Sequence, residues 1–173
     1  MRFAYADPPY IGQAKRHYDC AEVCHATLIA RLIVEFPDGW ALSCSSPSLK
    51  QILPLCPPDA RIGAWVKSFC AFKRGVRPAY AWEPVIYVGG RNKNAAVPLK
   101  GGKQITPKDF ISAPITLKKG LVGAKPLKVC EWILDLLNAQ PNDDVVDLFP
   151  GTRAMGVAAG ARGCRVEEST AWH

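Results

Sequence analysis

The sequence predicts an α/β domain with a largely parallel sheet. Three observations carry this reading. Short apolar runs of strand length alternate with segments of helical periodicity. Two of the runs stop abruptly in turns that contain proline, and a helix of small residues follows the second. Strands interleaved with helices in this way favour parallel pairing with helices on the sheet faces.

Taken in order, Arg2-Phe3-Ala4-Tyr5-Ala6 reads as a short buried strand, ended by Asp7-Pro8-Pro9. Ala26, Ile29, Ala30 and Ile33, with Leu28, Leu32 and Phe36, recur at helical spacing, and Pro37-Asp38-Gly39 closes that helix. Trp40 to Cys44 reads as a second strand. Ser46-Pro47 has the form of a helix cap with proline in the first turn, leading through Leu49, Ile52 and Leu53. Arg61 to Phe69 and Glu83 to Gly89 are the third and fourth predicted strands, joined by the basic loop Lys73-Arg74-Gly75-Val76-Arg77-Pro78. Lys125-Pro126 opens an amphipathic helix with Val129, Trp132, Ile133, Leu136 and Leu137 on one face. Val145 to Phe149 is a buried strand, Pro150-Gly151-Thr152 a tight turn, and Ala154 to Ala161 a helix. Cys164 to Glu168 reads as a last strand.

A chain of 173 residues with 49% hydrophobic residues has the size and composition of one globular domain, 1–173. No apolar run approaches membrane-spanning length, and the N-terminus runs directly into strand-like sequence. A soluble, cytoplasmic protein without membrane association is expected. The net charge of +7 points to a polyanionic partner. The segment 89–124 concentrates that charge in Arg91, Lys93, Lys100, Lys103, Lys108, Lys118 and Lys119, with Asp109 as its one acid. It reads as a nucleic-acid-contacting insert, and Lys73, Arg74, Arg91, Lys93, Lys100 and Lys103 are the candidate contacts. The seven cysteines read as reduced thiols packed as small hydrophobes. His17, Cys20, Cys24 and His25 cluster, but their spacing fits no standard zinc site, and no metal is expected.

Two segments carry the candidate chemistry. In an open α/β sheet, ligands bind beyond the carboxyl ends of the strands. After the first strand, Pro8 and Pro9 fix the backbone and offer no N–H, leaving nearby carbonyls free to accept. Asp7 adds a carboxylate and Tyr10 a stacking face, which together suit a flat group bearing an amino substituent. After Val145–Phe149, Gly151 lets a ligand approach the backbone at the start of a helix.

Together these residues resemble a known family. Asp7-Pro8-Pro9-Tyr10 is similar to the catalytic motif of amino-group DNA methyltransferases, and Asp147-Leu148-Phe149-Pro150-Gly151-Thr152 to their cofactor-binding strand and turn. Lys125-Pro126 and its helix resemble the segment that precedes that strand in the family. The motif order is the permuted order of the β group, and nearly the whole chain resembles the short DNA adenine methylases of phages and prophages. The resemblance implies a Rossmann-like, circularly permuted methyltransferase domain using S-adenosyl-L-methionine. It implies transfer to the N6 amino group of adenine in DNA after base flipping. Asp7 and the Pro8 carbonyl would accept from the amino group, Pro9 would hold the turn, and Tyr10 would stack on the base. Phe149, Gly151 and Thr152 would line the cofactor pocket with Asp147 nearby, Lys125 and Pro126 would close one side, and Glu168 or Glu167 would face the ribose.

Two departures keep alternatives open. Arg153 stands where the family carries a second glycine, and the chain ends at His173, soon after the second cofactor strand. The alternatives are an N4-cytosine or RNA methyltransferase, a binding protein with impaired cofactor affinity, and a homodimer in which a second subunit assists.

Overall fold

The computed structural model describes residues 1–17, 21–69, 75–92, 106–116 and 124–169. Its strands are β1 (Arg2–Ala6), β2 (Gly39–Ser43), β3 (Arg61–Val66), β4 (Trp82–Gly89), β5 (Phe110–Ser112), β6 (Asp144–Asp147) and β7 (Arg165–Glu168). The helices are α1 (Ala14–His17), α2 (His25–Glu35), α3 (Leu49–Ile52), α4 (Leu127–Leu136) and α5 (Ala154–Ala161). One sheet holds all seven strands in the order β5-β3-β4-β2-β1-β6-β7. β4 runs against both of its neighbours, and the other pairings are parallel.

Side-chain alternation along each strand divides the core into two layers. Phe3 and Tyr5 of β1 face α4 and α5, where they join Trp65, Val85, Tyr87, Val129, Ile133 and Ala158. Ala4 and Ala6 face the opposite way, packing with Trp40, Leu42, Ile86 and Val146 against Leu28, Ile29 and Leu32 of α2 and against Phe36 just after it. The alanines of β1 leave room for that helix, while Phe3 and Tyr5 fill the α4 side. At the start of the β2–β4 ladder the two backbones approach closely. A Cβ on Gly39 would lie 2.5 Å from the Gly90 nitrogen, so glycine is required there.

From β1 the chain crosses by α2 to β2 on one side, and from β6 it crosses by α5 to β7 on the other. The adjacent strands β1 and β6 therefore flank the point where strand order reverses, with their carboxyl ends at the same edge of the sheet. Asp7 and Phe149 leave the sheet at this point.

The described part of the basic insert is less loop-like than its composition suggests. β5 pairs with β3, Trp65 Nε1 donates to the Ala113 carbonyl at 2.8 Å, and Trp132 Nε1 donates to the Lys108 carbonyl at 2.8 Å. Lys93, Lys100 and Lys103 of the insert lie outside the described residues, as do Lys73, Arg74 and Cys20. Among the described residues, no helix is long and apolar enough to cross a membrane.

Candidate active site

β1 ends at Ala6 because Pro8 and Pro9 have no N–H to continue a ladder. The segment leaves the sheet with Pro8 buried and Asp7 and Tyr10 half-buried. Lys125, just before α4, reaches back to it. Its ammonium lies 3.1 Å from Asp7 Oδ1 and donates to the Tyr10 hydroxyl at 2.9 Å and to Glu83 Oε2 at 2.9 Å. The Tyr10 hydroxyl donates in turn to Glu83 Oε2 at 2.6 Å, and Lys67 pairs with Glu83 Oε1 at 2.6 Å. The rings of Tyr10 and Trp65 both flank the Lys125 ammonium, each at 5.4 Å from its centroid. Beneath this cluster the hydroxyls of Tyr5 and Ser43 are hydrogen-bonded at 2.9 Å.

These contacts set the protonation states. Burial raises the Asp7 carboxyl above the ordinary aspartate range, against the pull of Lys125, and the Glu83 charge adds to the rise. Burial also acts against ionised Glu83, but Lys125 and Lys67 outweigh it and hold this carboxyl down to about 2. Burial alone would lower Lys125; Asp7, Tyr10 and Glu83 instead keep its ammonium well above the usual lysine range. Tyr10 is pushed well above the ordinary phenol range by burial, so it stays a donor.

The second segment lies beside the first. Leu148 N donates to the Tyr5 carbonyl at 2.9 Å, tying the end of β6 to β1. Asp147 is 2% exposed and accepts from the Phe149 N–H at 3.2 Å. Burial raises its carboxyl to about 7, and the charges of Asp7 and Glu168 contribute to the rise. Phe149 is half-buried and leads into Pro150 and Gly151. Gly151 has φ +42, and a Cβ there would meet only the Phe149 carbonyl at 3.7 Å, so the space above the turn is open. Thr152 is exposed beside it.

Arg153 adopts a glycine-like backbone conformation, φ 59 and ψ 21, as the N-cap of α5. Its side chain is 73% exposed and pairs with Glu168 at 3.3 Å, so it turns outward from the turn. Parallel register sets Asp147 beside Glu168, whereas Glu167 pairs with Arg2 at the surface. Of the two candidate acids, Glu168 is therefore the one on the Asp147 side.

Pro126 caps α4 through its carbonyl, which accepts from Val129 N at 2.9 Å. Lys125, expected to close one side of a cofactor pocket, contacts Asp7, Tyr10 and Glu83. Arg91, expected to face nucleic acid, spends its guanidinium on Asp143, with contacts at 2.5 and 2.8 Å. Sequence reasoning missed Glu83 and Lys67. The available signal was period-two alternation: Glu83 shares the inward face of Val85 and Tyr87, an unusual place for an acid.

The sequence matches no family model and no curated protein. Solved structures do match. M1.HpyAVI in complex with SAM is 19% identical over 97% of this chain and 81% of the other, with a TM-score of 0.61. The cytosine-N4-specific PvuII DNA methyltransferase is 15% identical over 98% and 74%, with a TM-score of 0.63. TTHA0409 from Thermus thermophilus, assigned as a DNA modification methylase and complexed with S-adenosyl-L-methionine, is 16% identical over 99% and 83%, with a TM-score of 0.56. The shared feature is the fold, and it spans nearly the whole of this chain.

Proposed function

We propose that this chain is a DNA methyltransferase that uses S-adenosyl-L-methionine to methylate the N6 amino group of adenine after base flipping. The observation that carries the reading is the meeting of two halves at one switch point. Asp7-Pro8-Pro9-Tyr10 stands beside the open Gly151 turn after β6. The fold likeness to DNA methyltransferases supports it.

The residues fit such a cofactor on charge grounds. Asp7, Glu83 and Asp147 bring three carboxylates to the site, against two ammonium groups from Lys125 and Lys67. Among the described residues Asp147 pairs with no cation, and its carboxyl is raised to about 7, so a cationic ligand is favoured nearby. Phe149, Gly151, Thr152 and Asp147 would hold it, with Glu168 toward the ribose. The cofactor, when bound, supplies a methyl carbon made electrophilic by its sulfonium.

The chain's own residues do the rest. Asp7 and the Pro8 carbonyl accept hydrogen bonds from the amino group and aim its lone pair. Tyr10 offers a face on which the extruded base stacks. The raised Asp7 carboxyl is suited to take the proton that the nitrogen sheds. Aspartate at the first motif position favours adenine over cytosine. The basic segment 89–124, together with Lys73 and Arg74, serves as the DNA contact.

The test is to incubate the protein with unmethylated DNA and methyl-labelled S-adenosyl-L-methionine, then identify the labelled nucleoside by mass spectrometry. N6-methyladenine is the expected product. N4-methylcytosine would replace the adenine assignment, and label confined to RNA substrates would overturn DNA as the target.

A further inference from the structure

Glu83 is built on the sheet, whereas the residues it touches are not. It is the second residue of β4, a strand paired on both sides, with β2 and with β3. Tyr10 follows two prolines beyond the end of β1, and Lys125 precedes the first turn of α4. Both carboxylate oxygens of Glu83 are used. Oε1 is held by Lys67 at 2.6 Å, and Oε2 receives the Tyr10 hydroxyl at 2.6 Å and Lys125 at 2.9 Å. Glu83 is thus the common partner of the stacking ring and of the ammonium that reaches Asp7. A ring held only at its Cβ end swings about its side-chain torsions, and a hydroxyl tied to a strand fixes it. Lys125 is likewise shared between Glu83 and Asp7, so the place of Glu83 decides where that ammonium meets Asp7 Oδ1.

We infer that Glu83, anchored by Lys67, is a positioning residue for methyl transfer, setting the Tyr10 ring and the Lys125 ammonium against Asp7. The inference rests on the function proposed above, and its test separates the two. The groups facing Asp7 are Lys125, Glu83, Tyr10, Tyr5 and Asp147, with the Cys44 and Cys130 thiols farther into the core. Removing the Glu83 charge leaves Lys125 paired with Asp7 alone and takes away a negative neighbour. The Asp7 carboxyl should then titrate at lower pH.

Three readouts are compared for the parent, Glu83→Gln and Lys67→Met. They are kcat on unmethylated DNA, S-adenosyl-L-methionine affinity by calorimetry, and the Asp7 carboxyl titration by carbon-13 NMR, assigned with Asp7→Asn. For Glu83→Gln the expected result is a kcat about 10–100-fold lower, since small misplacements carry such costs. Cofactor affinity should stay within about 3-fold and the Asp7 midpoint should fall. Lys67→Met, which leaves Tyr10 and Lys125 on Glu83, should lower kcat about 3–10-fold, and it carries the test if Glu83→Gln does not fold. A kcat within 2-fold of the parent overturns the inference, and so does a lowered kcat with an unmoved Asp7 midpoint. Cofactor affinity that collapses together with kcat also overturns it, because Glu83 would then be supporting the pocket or the fold. A parent that methylates nothing would sink the proposed function instead. The NMR midpoint then decides the positioning alone, a fall supporting it and no change overturning it.

Discussion

Near neutral pH Asp147 sits at its midpoint, because burial, with Asp7 and Glu168 nearby, holds its carboxyl at about 7. In the unfolded chain it titrates as an ordinary aspartate, at about 4. The folded value is the higher one, so its contribution to stability is present below about pH 4 and is lost as pH rises through about 7. Asp147→Asn should therefore flatten the fall in melting temperature between pH 5 and 8, and at pH 8 it should stabilise the free protein by about 1–3 kcal/mol. Parent and variant melts with the same pH slope would contradict this. The same group predicts that binding of a cationic cofactor at pH 6 releases protons, a release that calorimetry in buffers of different ionisation enthalpy detects and that Asp147→Asn abolishes. Arg153 makes a separate prediction. A non-glycine residue at φ 59 carries a backbone cost, and its exposed pair with Glu168 offsets little of it. Arg153→Gly should raise stability by up to about 1 kcal/mol, read from the denaturant midpoint. A loss of stability would show that the ion pair matters more than the backbone.

At the scale of elements, α4 packs closely on β3 through Trp132 and Gly63. A Cβ on Gly63 would lie 2.8 Å from Cη2 of Trp132, whose indole nitrogen is already bonded to the Lys108 carbonyl. Gly63→Ala should cost about 1–3 kcal/mol through overpacking. Gly160→Ala, in α5 with open space around the new methyl, should gain about 0.5–1 kcal/mol. Chemical denaturation of the two variants tests the pair, and a common sign would contradict the packing account. Most elements were legible from periodicity alone: β1, β2, β4 and β6 as apolar runs, and α2, α4 and α5 from their spacing or composition. β5 was not, since Phe110-Ile111-Ser112 is too short to announce itself and its ladder to β3 is a long-range pairing. The Asp7 and Gly151 halves of the site were legible because their chemistry is local in sequence. The Glu83–Lys67–Lys125 cluster was not, because it joins three elements whose proximity depends on strand order. The Arg91–Asp143 pair was hidden for the same reason, since Asp143 comes from the distant turn before β6.

For the whole molecule, the permuted motif order is absorbed by the sheet. The paired residues Arg2 and Asp144 are 142 positions apart in sequence, yet β1 receives β6 as its parallel neighbour. That pairing brings the Asp7-Pro8-Pro9-Tyr10 segment and the Gly151 turn to one edge, where the proposed function joins them in one methyl-transfer site. The most direct measurement is transfer of labelled methyl from S-adenosyl-L-methionine to unmethylated DNA by the parent and by Asp7→Ala, with cofactor affinity measured on both. Labelled DNA is expected with the parent, with a loss of at least about 100-fold for Asp7→Ala and cofactor binding retained by the variant. No label with the parent, or equal label with Asp7→Ala, would contradict it.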